Sequence, residues 1–244
     1  MLLSAEKISK AFGSFMAVRE ADFTVVEGEI VGLIGPNGAG KSTFFNCIAG
    51  DTMPTAGRLI FESADLTRAS AEKHARAGIG RTFQVPATFE DMSILDNVMV
   101  GAFLRHPHRA DARQKALEVV ETTGLAAQQD LRARSLGTPG RKRLEIARVL
   151  ATDPKLMLLD EALAGLTPSE LQEAIALVRR IHALGITLVI VEHIMEVIMT
   201  LAQRVLVFNQ GHVIAQGKPA DVVKDPAVIE AYLGHGHRRR RAAP

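Results

Sequence analysis

Short apolar runs, glycine clusters and amphipathic stretches alternate along the first third of the chain. Residues 2–8 and 21–26 read as strands, and Glu27-Gly28 as the turn before the next run. Ile30 to Ile34 is a short, continuously apolar strand that ends in a glycine cluster. Ser42 to Ala49 predicts a helix stopped by Gly50, Gly57 to Phe61 a strand, residues 70–77 a helix, and Ile79 to Phe83 an extended segment. From about 91 to 152 the pattern turns wholly helical. Ser93-Ile94-Leu95-Asp96 has the look of a helix start, Leu117, Val120 and Leu125 fit a second helix, and Leu144, Ala147, Arg148 and Ala151 lie along a third. The stretch offers no convincing strand, so it reads as an inserted helical subdomain.

Beyond it the alternation returns. Leu156 to Leu159 and Ile186 to Val191 are apolar strands on either side of a helix from Pro168 to about Leu184. A further helix, a strand at Val205 to Phe208 and a hairpin at Asn209-Gln210-Gly211 follow. Thr167-Pro168-Ser169-Glu170 places Thr at the N-cap, Pro at the first helical position and Glu at the third, which together define a helix N-terminus. Buried apolar strands alternating with helices predict an α/β fold whose parallel sheet is covered on both faces.

Composition narrows the class. The chain has 244 residues, 47% hydrophobic and 23% charged, which is ordinary for a globular protein and enough to bury a core without disulfides. The single cysteine, Cys47, excludes a disulfide framework and reads as a small buried hydrophobe in the helix after the glycine cluster. No apolar run approaches the ~20 residues that span a bilayer, and Met1 to Lys7 lacks the order of a signal peptide. A cytosolic chain is expected. The formal charge of +2 comes from Arg238 to Arg241; without those four the balance is 25 basic against 27 acidic residues. The body is therefore near neutral and shows no general nucleic-acid surface. The basic tail, residues 235–244, is expected to be disordered; it is either a solvated terminus or a contact for anionic headgroups. His235 and His237 in it have only a fortuitous relation to metal binding. Met92, Met99, Met157, Met195 and Met199 read as core.

Gly35-Pro36-Asn37-Gly38-Ala39-Gly40-Lys41-Ser42 matches the phosphate-binding pattern G-x-x-x-x-G-K-[ST], with an apolar strand before it and a helix after it. Glycines let the backbone curl so that successive N–H groups face phosphate, and the helix adds its positive end. In that role Lys41 neutralises β- and γ-oxygens and Ser42 ligates Mg²⁺. Leu156-Met157-Leu158-Leu159-Asp160-Glu161 is a buried strand with two carboxylates at its carboxyl end, where open α/β sheets bind ligands. Asp160 suits the Mg²⁺ shell and Glu161 the polarisation of a water. His193, after Ile190-Val191-Glu192, ends another apolar strand; by itself it is either structural or functional. Gln84 and Phe12 are unremarkable alone, and Phe12, before Gly13, reads equally as a surface aromatic or a ring that stacks on a base.

Taken in order, the strand, phosphate loop, Gln84, helical insertion, Asp160-Glu161 and His193 resemble an ATP-binding-cassette ATPase over residues 2 to about 234. The resemblance implies a P-loop NTPase (RecA-like) core with an N-terminal antiparallel β subdomain and a helical subdomain inserted at about 85–152. It implies ATP and Mg²⁺ as cofactors. Phe12, with Val18 beside it, then corresponds to the adenine-stacking aromatic, and residues Gly35 to Thr43 to the nucleotide site. Gln84 corresponds to the glutamine that links Mg²⁺ and the attacking water to the membrane subunit, Glu161 to the general base, and His193 to the histidine that contacts the γ-phosphate.

Ile34 to Asn46, Arg81-Thr82-Phe83-Gln84, Arg143 to Arg148 and Asp225 to Gly234 are similar to the ATP-binding subunits of branched-chain amino acid importers; urea and short-chain amide importers share much of this pattern. The implied partners are a second cassette, identical or different, two membrane permease subunits and, indirectly, a periplasmic solute-binding protein, with the chain on the inner face of the plasma membrane. Where the family signature reads Leu-Ser-Gly-Gly-Gln, this chain has Leu136-Gly137-Thr138-Pro139-Gly140. A hydroxyl is lost at Gly137, and an N–H at Pro139. Ala162 follows Glu161 where proline is usual, and Thr167 stands where Asp or Asn is expected. The altered signature favours a catalytically impaired, regulatory cassette; intact Glu161 and His193 oppose it. The near-neutral body and short helical insertion argue against a cassette that acts on DNA or the ribosome.

Overall fold

The computed structural model describes residues 1–233. Gly234, His235, His237 and the expected tail lie outside the described residues. Along the chain run β1 (Leu3–Phe12), β2 (Phe15–Val25), β3 (Ile30–Ile34), α1 (Lys41–Ala49), β4 (Ala56–Phe61), β5 (Ala64–Asp65), α2 (Ala71–Ala77), β6 (Ile79–Arg81), α3 (Ile94–Ala102), α4 (Arg109–Thr122), α5 (Thr138–Leu150), β7 (Leu156–Asp160), α6 (Pro168–Ala183), β8 (Thr187–Val191), α7 (Met195–Leu201), β9 (Arg204–Asn209), β10 (His212–Gly217), α8 (Pro219–Val222) and α9 (Pro226–Leu233). The chain folds as two compact units, Met1–Ala71 with the segment from Val189 onward, and Glu72–Leu188.

In the first unit an antiparallel sheet has the order β2-β1-β4-β5. Its first two strands are longer than the alternation predicts, because that alternation is interrupted. The β1–β2 register shifts between Ala5 and Ile8, between Ile8 and Lys10 and again before Ala11, and Lys7 and Glu20 take positive φ. Each bulge flips the face that later residues present, so a strict period of two stops at residue 8 while the strand continues. Phe12 closes β1 opposite Phe15, across the turn at Gly13.

β3 pairs in parallel with β9, from Val31↔Arg204 to Ile34↔Val207, and β10 returns antiparallel to β9. The return uses Gln210 and Gly211, both at positive φ, the conformation a two-residue hairpin requires. The antiparallel β10 makes this part of the core sheet mixed where the sequence predicts a parallel one. α1 anchors the unit through Phe44, fully buried, which meets Phe23 edge-on at 5.8 Å between centroids and Phe208 at 5.1 Å. Arg204 donates to both carboxylate oxygens of Glu29, at 2.8 and 3.0 Å, and fastens the start of β9 to the turn before β3.

In the second unit β6 and β7 pair in parallel, Ile79↔Leu156 to Arg81↔Leu158. Helices α3, α4 and α5 fill the predicted helical stretch, which holds only an isolated Ser93–Arg132 bridge of β type among the described residues. α3 comes so close to α5 that a Cβ on Gly101 would lie 2.1 Å from the Arg148 carbonyl oxygen. Side-chain bonds replace missing helical ones at the N-terminus of α6. Thr167 Oγ1 accepts the Glu170 N–H, and Glu170 accepts the Thr167 N–H at 2.8 Å.

Candidate functional site

β3 ends at Ile34 and α1 begins at Lys41, so Gly35 to Gly40 form the turn between them. Two of its glycines are required by close backbone approach. A Cβ on Gly35 (φ 150°) would lie 2.2 Å from the Phe208 carbonyl oxygen, and one on Gly40 (φ 103°) 2.4 Å from that of Ala17. The Gly211 N–H donates to the Ala39 carbonyl at 2.9 Å, so the β9–β10 hairpin braces the loop from outside. Pro36, Asn37 and Gly38 form its outer curve. Lys41 is only 8% exposed. Its ammonium donates back to the carbonyls of Gly35 at 2.7 Å and Pro36 at 3.0 Å. Ser42 is exposed and Thr43 half-buried on the first turn of α1. Cys47, further along that helix, is buried, which pushes its thiol up to about 11.

Phe12 is 52% exposed, with the Lys10 ammonium 5.0 Å from its ring centroid. Val18 is wholly buried in β2, its backbone opposite Lys10. His193 lies exposed in the turn between β8 and α7. Tyr232 on α9 accepts a hydrogen bond from the Gly35 N–H, which partly opposes the rise that burial gives its phenol. In the sequence Tyr232 was a family mark only; nothing in the spacing ties it to residue 35.

In the second unit β7 delivers Asp160 and Glu161. Asp160 is buried, and its Oδ2 accepts from Arg81 Nη2 at 2.9 Å while its N–H donates to Thr82 Oγ1 at 3.0 Å. Glu161 has φ 47°, the left-handed region that a residue with a Cβ seldom occupies. Its carboxylate accepts from Gln84 Nε2 at 2.8 Å. The structure thus brings together two of the expected residues, Gln84 and Glu161. Arg81 was quoted in the sequence only as part of a motif; its pairing with Asp160 was not foreseen.

The stretch aligned with the signature sits at the start of α5. Leu136 is buried, Gly137 is the N-cap with no side chain to cap, Thr138 is exposed, and Pro139 occupies the first turn. A Cβ at Gly137 would meet only Pro139 Cδ at 3.9 Å, whereas one at Gly140 would crowd Leu136 Cδ2 at 3.0 Å. Further along α5 lie Glu145, 5% exposed, and Arg148. Burial raises the Glu145 carboxyl, against the opposing pull of its bond from Phe83 N–H and the charges of Arg148 and Lys142. Burial likewise lowers Arg148, opposed by Glu145.

A phosphate loop between an apolar strand and a helix, with paired carboxylates at the end of another buried strand, defines a P-loop NTPase of RecA-like fold. The chain matches the ABC transporter family over residues 18–164, and the branched-chain amino acid ATP-binding cassette transporter model over residues 212–238. It is 37% identical to the high-affinity branched-chain amino acid transport ATP-binding protein LivG of Escherichia coli K12, over 96% of this chain and 98% of that one. It is 34% identical to the lipopolysaccharide export system ATP-binding protein LptB of the same strain, over 97% and 98%. A solved nucleotide-free ATP-binding cassette from an ABC transporter superposes with a TM-score of 0.87 at 31% identity, covering 96% of this chain and 99% of that one. The ADP conformation of the cassette MJ1267 gives the same values.

The chain therefore belongs to the ABC transporter ATP-binding family. Within it, the chain is homologous to the LivG-type branched-chain amino acid transport ATPases. Membership carries ATP binding and hydrolysis in general. No helix among the described residues is long and apolar enough to cross a membrane.

Proposed function

We propose that the chain is the ATP-hydrolysing subunit of an importer for branched-chain amino acids, held on the inner face of the plasma membrane by two permease subunits and paired with a second cassette. A periplasmic solute-binding protein would deliver the cargo. The observation that carries the cargo is the match of residues 212–238 to the branched-chain amino acid cassette model, beside the 37% identity to LivG.

In this reading the backbone of Gly35 to Thr43 cradles the ATP phosphates and Lys41 exchanges its two carbonyl partners for phosphate oxygens. Phe12 offers an exposed ring for the adenine, with buried Val18 on the neighbouring strand β2. Glu161 takes the proton of the attacking water, Gln84 orients that water, and His193 contacts the γ-phosphate. The donor set of Ser42 hydroxyl, Gln84 amide oxygen and Asp160 carboxylate is all oxygen, which fits a hard cation, and the Arg81 guanidinium orients the Asp160 carboxylate by donating to its Oδ2. Those residues would hold Mg²⁺, which would supply charge neutralisation for the phosphates.

A second reading, an impaired regulatory cassette, draws on one observation: Gly137 caps α5 and Pro139 lies in its first turn, without the signature hydroxyl and with one N–H fewer. Reconstitution with branched-chain amino acid permease subunits and a second cassette in proteoliposomes tests both. ATP turnover stimulated by binding protein loaded with leucine, isoleucine or valine is expected. Stimulation by urea or short-chain amides instead would move the cargo, and turnover that survives Glu161→Gln unchanged would favour the regulatory reading.

A further inference from the structure

Three side chains on α5 grip the two loops whose side chains meet at the hydrolytic residues. Lys142, Glu145 and Arg148 are spaced by three and so share one helix face. The Lys142 ammonium donates to the carbonyls of Glu161 at 3.1 Å and Ala164 at 2.6 Å. Glu145 accepts the Phe83 N–H at 2.8 Å and a further backbone bond from Ala87. Arg148 donates to the Ala87 carbonyl, and its guanidinium lies over the Phe89 ring at 4.6 Å. The far end of the loop is tied separately, by Asn97, which is fully buried and bonds both the N–H and the carbonyl of Phe89. Between the anchors at Phe83 and Ala87 stands Gln84, whose amide reaches Glu161 at 2.8 Å.

We propose that this stripe of α5 is a ruler that fixes the separation of Gln84 and Glu161, with Lys142, Glu145 and Arg148 as positioning residues for hydrolysis. The proposal rests on the roles given above to Gln84 and Glu161. Two features say that the stripe does more than stabilise the fold. Glu161 is held in a left-handed backbone conformation that costs free energy, and Lys142 bonds the carbonyl of that same residue. Arg148 Nε is buried without a hydrogen-bond partner, an expense a purely structural contact would shed. A charged stripe of which only Glu145 is fully buried is in itself weak evidence for stability. Here the bonds from Lys142 to Glu161 and Ala164, from Phe83 to Glu145 and from Arg148 to Ala87 all involve backbone atoms of the two loops, so the stripe sets where those loops lie.

Glu145→Gln and Lys142→Met in the full chain test the ruler. Each is expected to leave the affinity for a fluorescent ATP analogue within about twofold of the wild type and to lower kcat roughly 10- to 100-fold, the scale of a small misplacement. In a Gln84→Ala background the same Glu145→Gln substitution should cost nothing further, because its effect travels through Gln84. Amide hydrogen exchange should rise at Phe83 and Ala87 in Glu145→Gln while α3 and α4 keep their protection. Losses that multiply with Gln84→Ala, unchanged kcat, or unchanged exchange at Phe83 and Ala87 would overturn the proposal. If Glu145→Gln does not fold, Arg148→Lys carries the same readouts. Full turnover in Glu161→Gln would instead remove the base assignment, and the exchange measurement alone would then decide whether α5 holds the loop.

Discussion

At the residue scale, the chemistry of single groups makes two sharp expectations. Lys41 is the buried cation that reaches the phosphate loop, so Lys41→Ala should weaken ATP binding by at least about tenfold, the loss of one charge-assisted bond or more. Equilibrium titration with a fluorescent ATP analogue checks it, and unchanged affinity would defeat the phosphate-loop assignment. Glu161→Gln keeps the shape of the side chain but cannot take a proton. Binding should persist while single-turnover hydrolysis falls by about 100-fold or more. These residues were legible because a glycine spacing and a run of apolar positions ending in acids are local patterns. Arg81 and Tyr232 were not. The Arg81–Asp160 bond joins positions 79 apart in sequence, and no periodicity along one segment reports a partner that distant.

At the scale of elements, the chain wrote its helices more plainly than its strands. The cap of α6 was readable from Thr167-Pro168-Ser169-Glu170 because all its bonds are made within four residues, and the structure has both of them. Thr167→Ala should destabilise the fold by about 1 kcal/mol, the ordinary cost of losing an N-cap hydroxyl. Urea unfolding at constant m-value measures it, and an unshifted midpoint would mean that the α6 terminus draws its stability from packing alone. β1 and β2 were underestimated for a physical reason. Positive φ at Lys7 and Glu20 and the accompanying register shifts put polar side chains where the alternation expects apolar ones. The bonds that hold such a bulge come from the opposite strand, and a sequence pattern does not contain them.

At the scale of the whole molecule, the start of α5 bears on partnership. In the proposed reading that segment faces the ATP of a second cassette. A chain with Gly137 and Pro139 there would then serve its partner's nucleotide poorly, while its own Lys41, Glu161 and His193 remain complete. In that reading, pairing with a different cassette would keep one competent site. Gly137→Ser with Pro139→Gly should raise turnover in the presence of the partner by roughly tenfold, for one recovered hydroxyl and one N–H. The space at Gly137 is open and accepts the side chain, whereas Gly140 should be left alone because Leu136 crowds it. No gain in steady-state ATPase with the partner present would separate this segment from catalysis.

The back-bonded Lys41 also has a kinetic consequence. Its ammonium already ties the carbonyls of Gly35 and Pro36 together, and the Gly211 N–H holds Ala39 from the other side. A receptor surface set in advance has little ordering to do on encounter, so association is limited by collision, with the lysine's carbonyl partners exchanged for phosphate oxygens. Stopped-flow mixing with a fluorescent nucleotide should therefore give a single exponential whose rate climbs linearly with concentration. A rate that levels off would mean that the loop must first rearrange, and that the lysine's resting bonds are a latch to be opened before anything can bind.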